Sequence, residues 1–370
     1  MTIKFILLSF VWFLSFNSFC FSLEAKSDSI ANEFVPATES SITPMPIISY
    51  DSDVGLGLGA KCFFLNQLGI SESFDIVVFG STLGERWVRF VFSYPDYELR
   101  QGNVYPLSID LIADYDVYMK NNFFGIGPLS RYSSMEIYRR EPLDLSLVFG
   151  KGISSELVVQ GGIRYGNIRN RNFDQSGYLI SLPPDINQST TYFTSLFANI
   201  RNDTRNSFID PSQGYAFQFD AEYSPDISLS NVSFGKLGLQ IMGFYELFEP
   251  KYVLAGRLWL QSLMGSNLPV QVLLSLGGNR TLRGYSQDRF LGTTSILSNL
   301  EFRFPIFWRF SGIVGLDAGS VAIKGYGLDN NIVLNSVAGL RFAFDTFIVR
   351  LDVGFSQENT GFYLNFGHVF

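Results

Sequence analysis

Few side chains in this 370-residue sequence could do chemistry. Its one histidine is His368, and its two cysteines are Cys20 and Cys62. A nucleophilic serine or cysteine needs a base within reach, and one histidine near the terminus is poor support for one. No phosphate-cradling glycine loop and no Cys/His zinc spacing occurs. The expectation is therefore no enzyme, no cofactor and no metal site. What stands out is a candidate ion-pair constellation. Arg283 lies in Leu282-Arg-Gly-Tyr285, Glu301 in Leu300-Glu-Phe-Arg303, and Asp317 in Gly315-Leu-Asp-Ala-Gly319. A guanidinium is a planar fork that carboxylates can hold bidentately, which fixes a loop geometrically. Spacing alone fits equally well with three separate, solvated charges.

The elements carrying these residues show a two-residue period. Leu300, Phe302 and Phe304 share one strand face, and Asn299, Glu301 and Arg303 share the other. Val314, Leu316 and Ala318 stand opposite Asp317 in the same way. One oily face and one charged face suggest a barrel wall. Composition agrees: 46% of residues are hydrophobic and 16% charged, against about 25% charged in soluble domains. A net charge of −7 argues against a nucleic-acid partner. Past the N-terminus there is no apolar run of about 18 residues, so no membrane helix is available. Lipid admits only helices and closed barrels as spanning structures. The predicted fold class is all-β, a 16-stranded antiparallel transmembrane barrel with a long sixth outer loop folded into the lumen.

Residues 1–22 read as a secretory signal, with Lys4 before an apolar Phe5–Phe16; an uncleaved anchor is the alternative. Cleavage would remove Cys20 and leave Cys62 as the only thiol. Residues 23–46, mixed in Ser, Thr, Glu and Pro, read as a flexible periplasmic tail. Residues 47–370 read as the barrel. Its first strand is expected at Val54–Phe64, with Gly55, Gly57 and Gly59 toward the lumen. Separate strands are expected at Arg131–Arg139 and Pro142–Lys151, and the last at Gly361–Phe370. The sparsely packed glycine strand would meet the last strand at a weak seam, or its glycines simply leave lumen room. Trp87, Tyr94, Tyr118, Trp259, Trp308 and Tyr363 suggest interfacial girdles. Asp210-Pro-Ser-Gln-Gly214 is a tight turn, with Pro211 presetting φ and Gly214 restarting the chain. Phe362, Leu364, Phe366 and Phe370 alternate to the terminus, which places His368 on the lipid face.

Several of these stretches resemble one family. Gly277-Gly278 followed by Leu282-Arg283-Gly284-Tyr285 resembles the sixth-loop motif of the bacterial surface antigen family. That family contains the barrels of BamA/TamA-type outer-membrane assembly proteins and of two-partner secretion transporters. Gly315-Leu-Asp-Ala-Gly319 resembles its strand-13 motif. Asp203-Thr-Arg205 with Pro211 and Gly214 resembles its turn between strands 8 and 9. The terminal alternation resembles the recognition signal of outer-membrane barrels. The resemblance covers Pro46 to Phe370. It implies that Arg283 reaches into the lumen and pairs with Glu301 and Asp317, and that the protein resides in the bacterial outer membrane. Implied partners are outer-membrane lipid, the barrel assembly machinery through the C-terminal strand, and an unfolded barrel client or a separate periplasmic partner. The implied function is insertion of outer-membrane proteins, or translocation of polypeptide or lipid. Two features depart from the family. A short tail stands where POTRA repeats are usual, and His368 stands where an apolar residue is usual. The alternative function is a passive pore or structural barrel, favoured by the polar inward set Lys61, Arg89, Arg341, Arg350 and Asp352.

Overall fold

The computed structural model describes residues 36–370, apart from 38, 249–251, 324–330 and 346. The expected signal segment and the start of the expected tail lie outside the described residues. Sixteen strands, each antiparallel to its neighbours, close into one barrel, and a two-stranded hairpin lies outside that sheet. The barrel begins with β1 (Ser41–Asp51), β2 (Gly55–Leu65), β3 (Ser73–Ser81), β4 (Arg86–Tyr94), β5 (Tyr105–Phe123) and β6 (Glu136–Gly152). It continues with β7 (Leu157–Arg171), β8 (Thr190–Asp203), β9 (Gly214–Ser224), β10 (Phe234–Phe248) and β11 (Tyr252–Met264). The hairpin β12 (Leu274–Leu276) and β13 (Phe290–Gly292) follows. The wall resumes with β14 (Thr294–Phe307), β15 (Phe310–Ala322), β16 (Val333–Ala343), β17 (Ile348–Phe355) and β18 (Thr360–Phe366).

Alternation builds the wall. On β14 and β15, Leu300 pairs with Leu316, and both side chains are exposed on the outside. Their neighbours Glu301 and Asp317 are fully buried on the inside. The same pattern exposes Leu56 and Leu58 on β2 while burying Lys61, which pairs with Asp75.

The expected count of sixteen stands, but two strands differ from expectation. Residues 41–51 form β1 rather than ending a tail, so the barrel starts at Ser41 instead of residue 47. Pro44 and Pro46 disguised this strand, because proline is confined to sheet edges and bulges. Here β1 is almost an edge: it pairs with β2 along eleven positions but with β18 only at Tyr50↔Leu364 and Asp51↔Tyr363. The expected break at Pro142 is absent, and one strand, β6, runs through it. Pairing with β5 jumps from Tyr115↔Leu143 to Tyr118↔Arg140, so Pro142 sits where the ladder to that neighbour is interrupted.

The seam is therefore β1 against β18, and the glycine strand β2 lies one place inside it. Gly57 makes room for the Phe79 ring and Gly59 for the Val78 carbonyl, which a Cβ at each position would strike. The girdle expectation is corrected as well. Trp87, Tyr118 and Tyr363 are buried facing inward, whereas Trp308 is 79% exposed.

Candidate functional site

Residues 265–293 connect β11 to β14, and apolar packing positions this segment. Leu268, Val270, Leu273 and Leu274 join Phe123, Ile168, Phe193 and Leu263 from the wall. Further on, Leu276, Leu282, Tyr285 and Phe290 pack with Leu297 and Val321. The Thr281 hydroxyl accepts from the Gly277 N–H and donates to the Gly277 carbonyl, each at 2.8 Å. Gly284 has φ +100°, a left-handed conformation that glycine tolerates. A Cβ there would lie 2.7 Å from the Gly354 carbonyl carbon, so segment and wall touch backbone to backbone. The Gly284 N–H donates to the Tyr363 hydroxyl at 2.9 Å.

This packing sets Arg283, which is fully buried, among three fully buried acids. Its Nε donates to Asp317 Oδ2 at 3.0 Å and its Nη2 to Asp317 Oδ1 at 2.8 Å. Its Nη1 donates to Glu301 Oε1 at 2.7 Å and to Asp352 Oδ2 at 3.3 Å. The acids are held in turn. Asn299 and Asn335 donate to Asp317 at 2.6 and 3.0 Å, and Arg303 lies 3.0 Å from Glu301. Arg341 and Arg350 hold Asp352 at 2.5 and 3.4 Å. Burial opposes the charge on Arg283, but Asp317 and Glu301 overcome it and raise its pKa well above the ordinary value. A low-dielectric site tolerates such charges only when each is paired and hydrogen-bonded.

The structure thus brings Arg283, Glu301 and Asp317 together, with Gly284 against the wall and Tyr285 packed edge-on to Phe290 at 5.4 Å. Sequence reasoning missed three parts. Asp352 was read as inward-facing but not as a third acid on Arg283. The touching glycine Gly354 and the hydroxyl of Tyr363 were not connected to the segment. Alternation could have flagged Asp352; nothing local in the sequence marks the other two.

The segment also binds neighbouring connections. Arg289 grips Glu358 through two bonds of 2.6 and 2.7 Å and reaches Ser130. Asn279 donates to Asp51, and the Gln287 N–H donates to Asp53 at 2.7 Å. Burial, and then the nearby Asp51 carboxylate, pushes the Asp53 acid up to about 7.

At the opposite end, two motifs that are separate in sequence meet. Arg205 clamps Asp203 bidentately at 2.8 and 2.7 Å. Gly214 has φ +97°, and a Cβ there would strike the Thr204 carbonyl. Pro211 follows Asp210, whose carboxylate bonds the His368 ring at 3.1 Å. This corrects the lipid-facing expectation for His368, which is buried. Burial, then the charge of Arg303, pushes its pKa down to about 4.

The terminal alternation holds for only part of its length. Phe362 is exposed outward and Leu364 half-buried, but Phe366 is buried near Ile47 and Phe347. Gly367 then turns at φ +73°. Phe370 ends inside, its ring 5.3 Å from the Arg257 guanidinium and 5.5 Å from that of Arg303.

A family model described as the Omp85 superfamily domain matches residues 66–370. Solved structures of low sequence identity share the fold. BamA from Haemophilus ducreyi lacking POTRA domains 1–3 aligns with TM-score 0.66 at 15% identity, over 88% of this chain and 70% of that one. CdiB from Escherichia coli gives 0.63 at 13% identity, over 90% and 63%. CdiB from Acinetobacter baumannii gives 0.54 at 14% identity, over 89% and 60%. The chain thus spans 60 to 70% of the length of these three solved chains. No curated protein shows significant similarity to it.

Proposed function

Because the chain belongs to the Omp85 superfamily, we propose that it is an outer-membrane barrel that inserts membrane proteins, or passes polypeptide or lipid, by opening between β1 and β18. The observation that carries this is the seam. β1 shares eleven paired positions with β2 and only two with β18. Unpaired backbone groups facing hydrocarbon cost several kcal/mol each. A long free edge next to lipid is therefore receptive to an incoming strand. β18 ends at Phe366 and the chain turns at Gly367, so it offers no partner strand to the Ser41–Pro46 half of β1.

In this reading the segment 265–293 is the sixth outer loop folded into the lumen, and Arg283 is its lock. Glu301 and Asp317 receive the guanidinium, while Gly284 and Tyr285 set the loop against the wall. The Asp203–Arg205 turn with Pro211 and Gly214 braces the terminal residues at the periplasmic end. Phe362 and Leu364 supply the outward part of the C-terminal signal that assembly machinery reads while the chain itself inserts. Phe366 and Phe370 take their inward positions on closure. Outer-membrane lipid contacts the exposed apolar face. An unfolded barrel client, or a separate periplasmic protein that delivers it, is the remaining partner.

Reconstitution tests this. Proteoliposomes carrying the chain should convert an unfolded barrel client into its heat-modifiable folded form faster than empty liposomes do. Equal rates, together with unchanged abundance of other barrels on depletion, would overturn the reading. The passive-pore alternative predicts a large steady conductance in planar bilayers that Arg283→Ala leaves unaltered.

A further inference from the structure

The seam is closed by two means, and only one of them is backbone. Its ladder consists of Tyr50↔Leu364 and Asp51↔Tyr363. Before Tyr50, β1 still turns Met45, Ile47 and Ser49 inward, and all three are buried. β18 ends with Phe366, which is also buried. Ile47 and Phe366 belong to one apolar cluster with Val77 and Phe79 of β3, Trp87 of β4, and Phe347. Where the hydrogen bonds stop, apolar side chains inside the barrel join the two edges.

A further member of this packing comes from across the barrel. Ile209 packs against the cluster, and it lies in residues 204–213, between β8 and β9. Around the ring of strands, β9 is the eighth neighbour of β1, and β8 is the eighth neighbour of β18. The β8–β9 connection is thus opposite the seam, and Ile209 reaches the seam's inner face by crossing the bore. Local bonds shape the connection for that reach. The Asn206 side chain accepts from the N–H groups of Ser212 and Gln213 at 3.0 and 3.1 Å, which closes the base. The Ser207 hydroxyl accepts from the N–H groups of Ile209 and Asp210 at 3.2 and 3.1 Å, which shapes the tip. Ser212 and Gln213 donate to Glu246 of β10 at 3.2 and 3.1 Å and anchor the base to the wall. The tip carries a second contact. His368 Nδ1 accepts from Arg341 Nε at 3.5 Å, which leaves Nε2 as the N–H that donates to Asp210 Oδ1 at 3.1 Å. One tip thus touches both the apolar seam cluster and the terminal residues that follow β18.

We propose that residues 204–213 form an internal latch on the seam, with Ile209 completing the apolar packing that holds β1 to β18 where their ladder is missing and Asp210 tethering the terminal residues through His368. The seam opens fully only after the tip withdraws. Apolar attraction scales with the area kept from water. Loss of the Ile209 side chain therefore weakens the closure without removing any strand-to-strand hydrogen bond. Because the base is anchored to the wall, withdrawal of the tip is a local movement that leaves the barrel standing. The latch also gives the periplasmic side control of the seam: whatever displaces the tip shifts the seam toward its open state. The inference rests on the reading of the seam as the gate; what it adds is the element that holds the gate shut.

The test uses the full chain in nanodiscs, with hydrogen exchange read segment by segment against intrinsic rates, and client folding measured alongside in proteoliposomes. Ile209→Ala should raise exchange in segments 47–51 and 362–366 roughly fivefold or more, and leave β5, β6 and β7 within about twofold of the native chain. Ile209→Val, the mildest truncation, should raise the same two segments by less. Asp210→Ala should raise segment 362–366 and the terminal residues. Leu179→Ala, in the apolar cluster at the other end of the barrel, should leave both seam segments unchanged. Unaltered seam exchange in Ile209→Ala overturns the latch. So does an increase shared equally by all strands, which would mark Ile209 as a general stabiliser. Should Ile209→Ala fail to reach the heat-modifiable folded form, Ile209→Val and Asp210→Ala decide by the same criterion. Client folding judges the gate itself. Faster folding in Ile209→Ala is expected, whereas faster seam exchange with client folding unchanged keeps the latch and counts against the seam as the gate.

Discussion

Arg283 and Asp317 are joined three times: by Nε at 3.0 Å, by Nη2 at 2.8 Å, and by the Arg283 backbone N–H, which donates to Oδ2 at 3.1 Å. The backbone bond fixes where the residue begins and the fork fixes where it ends. The segment 265–293 is thereby held to β15 in one register. Removing the guanidinium would leave Glu301, Asp317 and Asp352 buried with one counter-charge fewer. Breaking a buried pair in this way typically costs about 3–5 kcal/mol. Arg283→Ala should therefore lower stability by that order, read as a fall in the temperature at which the barrel loses heat-modifiable mobility. Arg283→Lys should fall between, because an ammonium cannot span two carboxylates as a fork does.

Tyr363 offers a smaller and more local test. Its hydroxyl is the acceptor for the Gly284 N–H, deep between segment and wall. Tyr363→Phe keeps the ring and orphans that donor, which should cost about 1–3 kcal/mol. The same melting assay should record the loss. Hydrogen exchange should speed up at Gly284 before it changes in the barrel strands.

Asp53 predicts a pH dependence. Its carboxyl is pushed up to about 7 from an ordinary 3.8, mainly by burial and next by Asp51. A raised acid favours the protonated folded state. Its contribution to stability is full below pH 3.8 and is lost as the pH rises through about 7. Amides at the contact between the 52–54 turn and Gln287 should therefore be less protected, relative to their intrinsic exchange rates, at pH 8 than at pH 5. Asp53→Asn should flatten that difference. Equal protection at the two pH values in the native chain would contradict it.

Much of this was legible from a two-residue period. Glu301, Asp317 and Asp352 could be placed inward because Leu300, Leu316 and Leu351 alternate with them. The total of sixteen strands was legible, but its bookkeeping was not. Pro44 and Pro46 concealed β1, since a nearly free edge lifts the usual penalty on proline. Pro142 feigned a break, since the ladder to β5 is interrupted beside it. Long-range contacts were not legible. The approach of Gly354 to Gly284 and the bond from Tyr363 join positions at least 70 residues apart, and neither leaves a local pattern. The inward turn at Gly367 was hidden as well, because Phe366 and Phe370 continue the alternation that the backbone abandons.

The central claim is that β1 and β18 part during function, and a disulfide across them tests it most directly. Tyr50 and Leu364 are paired positions at the seam. In a Cys62→Ser background, Tyr50→Cys with Leu364→Cys should form a barrel whose oxidised state fails to fold client in proteoliposomes and whose reduced state recovers. An oxidised barrel as active as the reduced one would mean that the seam stays shut while the protein works, and the account would be wrong.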